Sequence, residues 1–152
     1  MSLKSWLYRG GHPNAIAKIL NKGWAFLHSS GISPNYLVTL EVVGRQSGKS
    51  ISFPLVMVMM DDERYLVSML GKEANWVRNI EAASGIAKLK HGICEEVLLE
   101  EVDIPHRAAI IKAYLLIAPG ARGHIPVDKD APIAAFEEIA PNIPVFKLRM
   151  AE

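Results

Sequence analysis

Gly44-Arg45-Gln46-Ser47-Gly48-Lys49-Ser50 lies between two apolar runs, Tyr36 to Val43 and Ile51 to Met60. Whether a helix or a strand comes after it decides the fold. A Walker A loop would open a helix and would place four residues between its first glycine and Gly-Lys. Here three residues separate Gly44 from Gly48, and position 43 is Val43. The next residues are Ile51-Ser52-Phe53-Pro54-Leu55-Val56, whose β-branched and aromatic side chains and proline read as strand. The stretch is therefore a basic loop joining two strands. Its glycines permit backbone angles that other residues resist, so successive N–H groups can converge on one concavity. Arg45, Lys49, Ser47 and Ser50 surround that concavity with charge and hydroxyls. Two roles fit it equally: a seat for a phosphate, or a solvated hairpin rich in turn formers.

Outward from the loop, Val38, Leu40 and Val42 alternate with Thr39 and Glu41, the pattern of a half-buried strand. Ile51 to Met60 is a second strand, more deeply buried. Asp61-Asp62-Glu63 turns tightly into Tyr65-Leu66-Val67-Ser68-Met69, which completes an antiparallel meander. Ala74 to Ala83 returns to helical spacing, with Trp76, Asn79, Ile80 and Ala83 on one face. Ile86 to Lys90 and Cys94 to Val102 form a hairpin turning at His91-Gly92. Pro105 to Ala118 is a long helix with Ile110, Ala113, Tyr114 and Ile117 on its core side, stopped by Pro119-Gly120. Asp130-Ala131-Pro132 caps a short helix running to Ile139. Val145 to Arg149 alternates again and closes the sheet. Before the loop, Pro13 starts a helix over about 12–29, with Ile16, Ile19, Leu20, Trp24 and Leu27 as its stripe. Antiparallel strands with helices between them make an α+β fold, a small barrel.

The 152 residues make one domain with a real core. Half are hydrophobic and 22% charged, which excludes disorder. A net charge of +1 and the lack of a Lys/Arg block give no case for nucleic acid. The one cysteine, Cys94, has no partner for a disulfide or a zinc site, which fits a cytoplasmic protein. No apolar run reaches transmembrane length, and Arg9-Gly10-Gly11-His12-Pro13 breaks any signal-peptide pattern. Trp6, Tyr8, Trp24 and Phe26 with Lys4, Arg9 and Lys18 allow a membrane-seeking N-terminus, although packing of that helix over the barrel mouth is favoured. The oligomeric state is left open.

His12, His28, His91, His106 and His124 are scattered, none at metal-ligand spacing with a second ligand. Gly-x-Ser-x-Gly is absent, and Asp61-Asp62-Glu63 lies in a turn. No metal and no catalytic side chain are expected. A phosphate loop without catalytic residues suits a cofactor that carries the chemistry itself. Asn79 shares an apolar face with Trp76, and a buried amide needs partners. It either ties down neighbouring backbone or helps shape a cofactor site.

Gly44-Arg45-x-Ser47-Gly48-Lys49, Pro54-Leu55, Tyr65-Leu66-Val67-Ser68 and Asn75-Trp76-Val77-Arg78-Asn79-Ile80 occur in that order. Together with Ala113-Tyr114-Leu115, Ala118-Pro119-Gly120-Ala121-Arg122 and Pro144-Val145-Phe146, they resemble the deazaflavin-dependent nitroreductase family. The resemblance spans roughly residues 36 to 149. It implies a split β-barrel related to flavin-binding, pyridoxamine-phosphate-oxidase-like proteins, and the deazaflavin F420 as cofactor. The activity it implies is hydride transfer from reduced F420 to a small electron-poor acceptor: a quinone, an enone or a nitro compound. An FMN-binding oxidoreductase of the same fold and a non-catalytic cofactor carrier are the alternatives. Carried over by position, Arg45, Ser47, Gly48 and Lys49, in the loop that Gly44 opens, would hold the phosphate and acidic tail. Pro54 and Leu55 would run along the ring. Ser68-Met69-Leu70-Gly71 would approach its other edge, with Lys72 nearby, and Trp76 and Asn79 would close the tail side. This chain departs from the pattern at Ile51, where some members carry a basic residue. It has His124-Ile125-Pro126-Val127 where a tyrosine-rich substrate pocket occurs in one nitroreductase.

Overall fold

A computed structural model describes residues 36–151; the helix expected over 12–29 and the aromatic N-terminus fall outside the described residues. Six strands form a closed barrel: β1 (Leu37–Val43), β2 (Ser50–Met60), β3 (Glu63–Val67), β4 (Ile86–His91), β5 (Ile93–Glu101) and β6 (Val145–Met150). Around the barrel the order is β1-β2-β3-β6-β5-β4, and β4 pairs back onto β1. Every pairing is antiparallel. The expected meander is β1-β2-β3, and the last strand closes the barrel by inserting between β3 and β5.

Residues opposite one another in a ladder share a face. Val38 stands opposite Leu55, Leu40 opposite Phe53 and Val42 opposite Ile51; the β1 residues are buried, whereas Phe53 is exposed and lines a groove. Inside, Val38, Leu40 and Val42 meet Met57, Leu66, Leu89, Val97 and Leu148 in one buried cluster. Each fully buried aliphatic side chain contributes roughly 1.5–3 kcal/mol by leaving water. The opposite face of β2 and β3 is buried as well. Val56, Val58 and Val67 pack with Ile111, Leu115 and Phe136 in a second cluster outside the barrel. Those last three come from two helices, α2 (Ala108–Ile117) and α3 (Ile133–Ile139).

One interruption in the ladder creates the site. β2 pairs with β1 from Ser50 to Val56, but with β3 only from Met57 to Met60. Phe53 to Val56 therefore have a strand on one side only. Pro54 sits in that stretch, at an edge where a residue without an N–H is tolerated. Helix α1 (Asn75–Ala82) comes after β3 and a short turn, and buries Trp76, Val77, Asn79 and Ile80.

Several local expectations are corrected. The third strand ends at Val67, because Ser68 turns the chain: its hydroxyl donates to Gly71 O at 2.7 Å. The long helix begins at Ala108, after a separate 3-10 turn over Ile104–His106. Its deepest residues include Ile111 and Leu115, while Ala113 and Ile117 are only partly buried. Asp130 does not cap α3, whose preceding residue is Pro132 with no side-chain cap. The Asp130 carboxylate instead accepts from Lys129 Nζ at 2.9 Å, which lowers its pKa from the ordinary carboxylate value.

Behind α1 the chain turns sharply. Ser84 and Gly85 both have positive φ, 56° and 84°. Gly85 N–H donates to Ile80 O at 2.9 Å, ending the helix and delivering the chain to β4. A Cβ on Gly85 would stand 2.5 Å from Leu99 O. Gly85→Ala is expected to lower stability by about 2 kcal/mol or more, from backbone strain and that clash together. Urea unfolding measures it, and a loss below about 0.5 kcal/mol contradicts the assigned geometry.

Candidate functional site

The loop between β1 and β2 is a compact hairpin. Gly44 N–H donates to Lys49 O at 2.7 Å and Gly48 N–H to Gly44 O at 2.9 Å. Gly48 has φ +70°, which favours glycine. Gly44 is required for space: a Cβ there would lie 2.7 Å from Ile51 Cδ1 and 2.9 Å from Ser47 Oγ. Lys49 N–H donates to Ser47 Oγ at 3.2 Å, and Arg45 N–H donates to Asn79 Oδ1 at 3.2 Å.

These bonds narrow the expected nest of N–H groups to Gln46 and Ser47. The amides of Gly44, Arg45, Gly48 and Lys49 are already committed within the protein. What the loop offers a ligand is chiefly side-chain charge. Arg45 and Lys49 are exposed, and neither forms an ion pair with any described residue. The Arg45 guanidinium is nonetheless anchored, donating through Nη1 to Asn79 Oδ1 at 2.8 Å.

A groove runs from this loop along the open edge of β2, in two adjoining parts. The first, about 380 Å³, is lined by Arg45, Gln46 and Ser47 from the loop, Ile51 to Phe53 from β2, and Asn75, Trp76 and Asn79 from α1. The second, about 200 Å³, is apolar. Its β2 wall is Phe53 to Val56. Met69, Leu70 and Ala74 close the far side, and Tyr114, Ala118 and Ala121 form the back. Phe53, Asn75 and Trp76 belong to both parts. Trp76 is held by the barrel core, its ring edge-on to Phe146 with centroids 5.6 Å apart.

Among the residues expected from sequence, Gly44, Arg45, Ser47, Trp76 and Asn79 line the first part, and Pro54, Leu55, Met69 and Trp76 the second. Lys49 lies in the same loop as Arg45 and Ser47. Gly48, Lys49, Ser68, Gly71 and Lys72 line neither part. Ser68 is fully buried, and with Gly71 it builds the turn that presents Met69 and Leu70. Lys72 lies beyond that turn. Sequence reasoning missed Phe53, Asn75, Ala118 and Ala121 as wall residues. The alanines had a signal in Ala118-Pro119-Gly120-Ala121, since small side chains at a helix end leave room beside them.

Among the described residues, Tyr114 is the one phenol on the groove wall. Burial pushes its pKa well above the ordinary value of 10.0. Above that value the unfolded chain releases a proton that the folded chain retains. Stability should therefore fall as pH rises past about 10, and Tyr114→Phe should flatten that decline. Urea midpoints between about pH 9 and pH 11 measure it; identical profiles for the two proteins would refute the assignment to Tyr114. Among the described residues no cluster of His, Cys, Asp or Glu could hold a metal ion, and no helix is long and apolar enough to cross a membrane.

Residues 29–99 match the family model described as F420H(2)-dependent quinone reductase. The match covers the loop, the first four strands, α1 and most of β5, and agrees with the resemblance carried by the motifs. F420 as cofactor and reduction as reaction class are those of the matched family. No curated protein matches the sequence. Solved structures agree on the fold. An F420-H2 dependent reductase, FDR-A, is similar at TM-score 0.52 with 17% identity, over 75% of this chain and 94% of that one. A Listeria innocua protein named for pyridoxamine 5′-phosphate oxidase is similar at 0.52 with 13% identity, over 88% and 94%. A structure described as a domain-swapped dimer is similar at 0.55 with 19% identity, over 88% and 92%. The fold is thus the split barrel that the motifs implied.

Proposed function

We propose that this chain, an F420-dependent reductase by the family its residues 29–99 match, binds F420 along the two-part groove and reduces a small electron-poor acceptor. A quinone is the first candidate. The observation that supports the placement is the groove's division: Arg45, which has no ion pair among the described residues, lines one end, with Lys49 in the same loop, and the other end is an apolar slot.

The division suits an elongated cofactor with an anionic tail and a flat ring. Arg45 and Lys49 would hold the tail's phosphate and carboxylates through charge-assisted hydrogen bonds. The ring would lie between the open edge of β2, at Pro54 and Leu55, and the back wall of Ala118 and Ala121. Bound in its reduced form, F420 supplies a hydride. The protein's residues bind, orient and exclude water: Met69, Leu70 and Phe53 shield the slot, and Tyr114 keeps its proton. A quinone or enone gains a carbonyl-stabilised negative charge on accepting hydride, so it requires no metal and no nucleophile from the protein.

Binding titrations separate the candidates. The purified protein should bind oxidised F420 more tightly than FMN or FAD. The advantage should shrink at high salt, because exposed charge pairs are screened. Reduced F420 should then be oxidised on addition of a quinone. Tighter binding of FMN than F420 promotes the flavin alternative, and binding of reduced F420 without turnover on any acceptor favours the carrier. We also propose a cytoplasmic setting, supported by the exposed unpaired Cys94.

A further inference from the structure

Asn79 occupies an unusual position for a cofactor contact. It is 4% exposed, on the face of α1 that packs into the barrel. Its Oδ1 already accepts two hydrogen bonds from one residue: Arg45 N–H at 3.2 Å and Arg45 Nη1 at 2.8 Å. One buried oxygen thus fixes both the backbone and the guanidinium of a residue 34 positions away.

The chemistry of that acceptor is the informative part. Proteins commonly fix an arginine with a carboxylate, which neutralises it as it orients it. Two other arginines here follow that rule, Arg64 on Glu95 and Arg149 on Glu100, each at 2.7 Å; Arg107 meets Glu101 at 2.9 Å but is held chiefly by backbone carbonyls, and exposed Arg78 stands 3.6 Å from Glu73. Among the described residues, only Arg45 is anchored through a side-chain amide, and it lines the groove. An amide oxygen orients the guanidinium and leaves its charge intact for a ligand. It also restrains a long side chain before binding, which lowers the ordering cost that association would otherwise incur.

We infer that Asn79 is a positioning residue, a neutral latch that presents Arg45 to an anionic group of the ligand without discharging it. The ligand class is a phosphate- or carboxylate-bearing tail, so this inference rests on the F420 reading above. Asn79 touches Arg45 and not the reacting atoms.

The charge is separable from the geometry. Asn79→Asp keeps the shape and both hydrogen bonds and adds a negative charge. A merely structural role predicts an Asp variant as stable as wild type that binds normally. A neutral latch predicts a folded Asp variant that binds oxidised F420 about tenfold or more weakly, with a shallower salt dependence, because one cation has been cancelled. Asn79→Ala tests the restraint: it should weaken binding several-fold in wild type and have little further effect in Arg45→Ala. Affinities come from calorimetric titration of the full chain, with circular dichroism and thermal melts as the fold check. Wild-type affinity in a folded Asn79→Asp variant overturns the latch while leaving the F420 reading intact. Failure of both Asn79 variants to fold also overturns it, by making Asn79 a residue of the core. If wild-type protein binds no F420, the reading fails and takes the latch with it.

Discussion

Replacing Arg107 by alanine is expected to cost about 3 kcal/mol of stability, the largest single effect outside the apolar core. Arg107 precedes α2 and is 5% exposed. Its Nε donates to Val102 O at 2.7 Å and its Nη1 to Ala140 O and Ile143 O at 3.1 and 3.3 Å. One side chain thereby ties the end of β5, the 3-10 turn over Ala140–Asn142 and the approach to β6. Truncation takes the Arg107 donor from Val102 O and Ile143 O, and one of two donors from Ala140 O, which keeps Ile143 N–H at 3.2 Å; the loss is roughly 1–3 kcal/mol for each carbonyl left unsatisfied. Its ion pair with Glu101 adds little, because the Glu101 side chain is half exposed. Glu101→Gln should therefore cost less than about 1 kcal/mol. Urea unfolding of both variants tests the division. Equal losses would mean that the ion pair, not the carbonyl clamp, holds these segments.

Removing both loop cations should have the largest effect on binding. Arg45→Ala and Lys49→Ala should each weaken F420 binding by about 1–3 kcal/mol, the range for charge-assisted contacts. The double variant should lose at least about 2 kcal/mol, with incomplete additivity because both side chains serve one ligand. Its fold should survive, since the loop is exposed. The salt dependence should flatten in step with the charge removed. A double variant that binds as tightly as wild type would return the loop to a solvated hairpin and move the anion site elsewhere.

The strands around the loop were legible because alternation is a local signal. Val38, Leu40 and Val42 announce an inward face, and a short hairpin then dictates the pairing with Leu55, Phe53 and Ile51. Helix α2 was less legible. Its paired apolar residues, Ile110-Ile111 and Leu115-Leu116, give no single stripe, so the deepest positions could not be chosen from spacing. Arg107 left no signal at all. Two of its acceptors are backbone carbonyls 33 and 36 positions away, and any residue type supplies a carbonyl. In the site, the loop's cations and Trp76 were visible as motifs. Phe53 and Asn75 gain their role only where two elements meet. Asn79 was recognised as an amide in need of partners, but its partner, Arg45, is a tertiary fact.

The one-sided stretch of β2 has a thermodynamic consequence. In a ladder, alternate peptide groups face alternate neighbours, so between Phe53 and Val56 part of the backbone looks onto the groove instead of onto another strand. A flat molecule seated there occupies the place of the missing strand and lends the seam the contacts a neighbour would have provided. Folding and occupancy then become one linked equilibrium: whatever binds the native seam, and not the unfolded chain, stabilises the barrel by RT ln(1 + [L]/Kd). On the proposed placement, the molecule that fills this one-sided seam is both reagent and keystone.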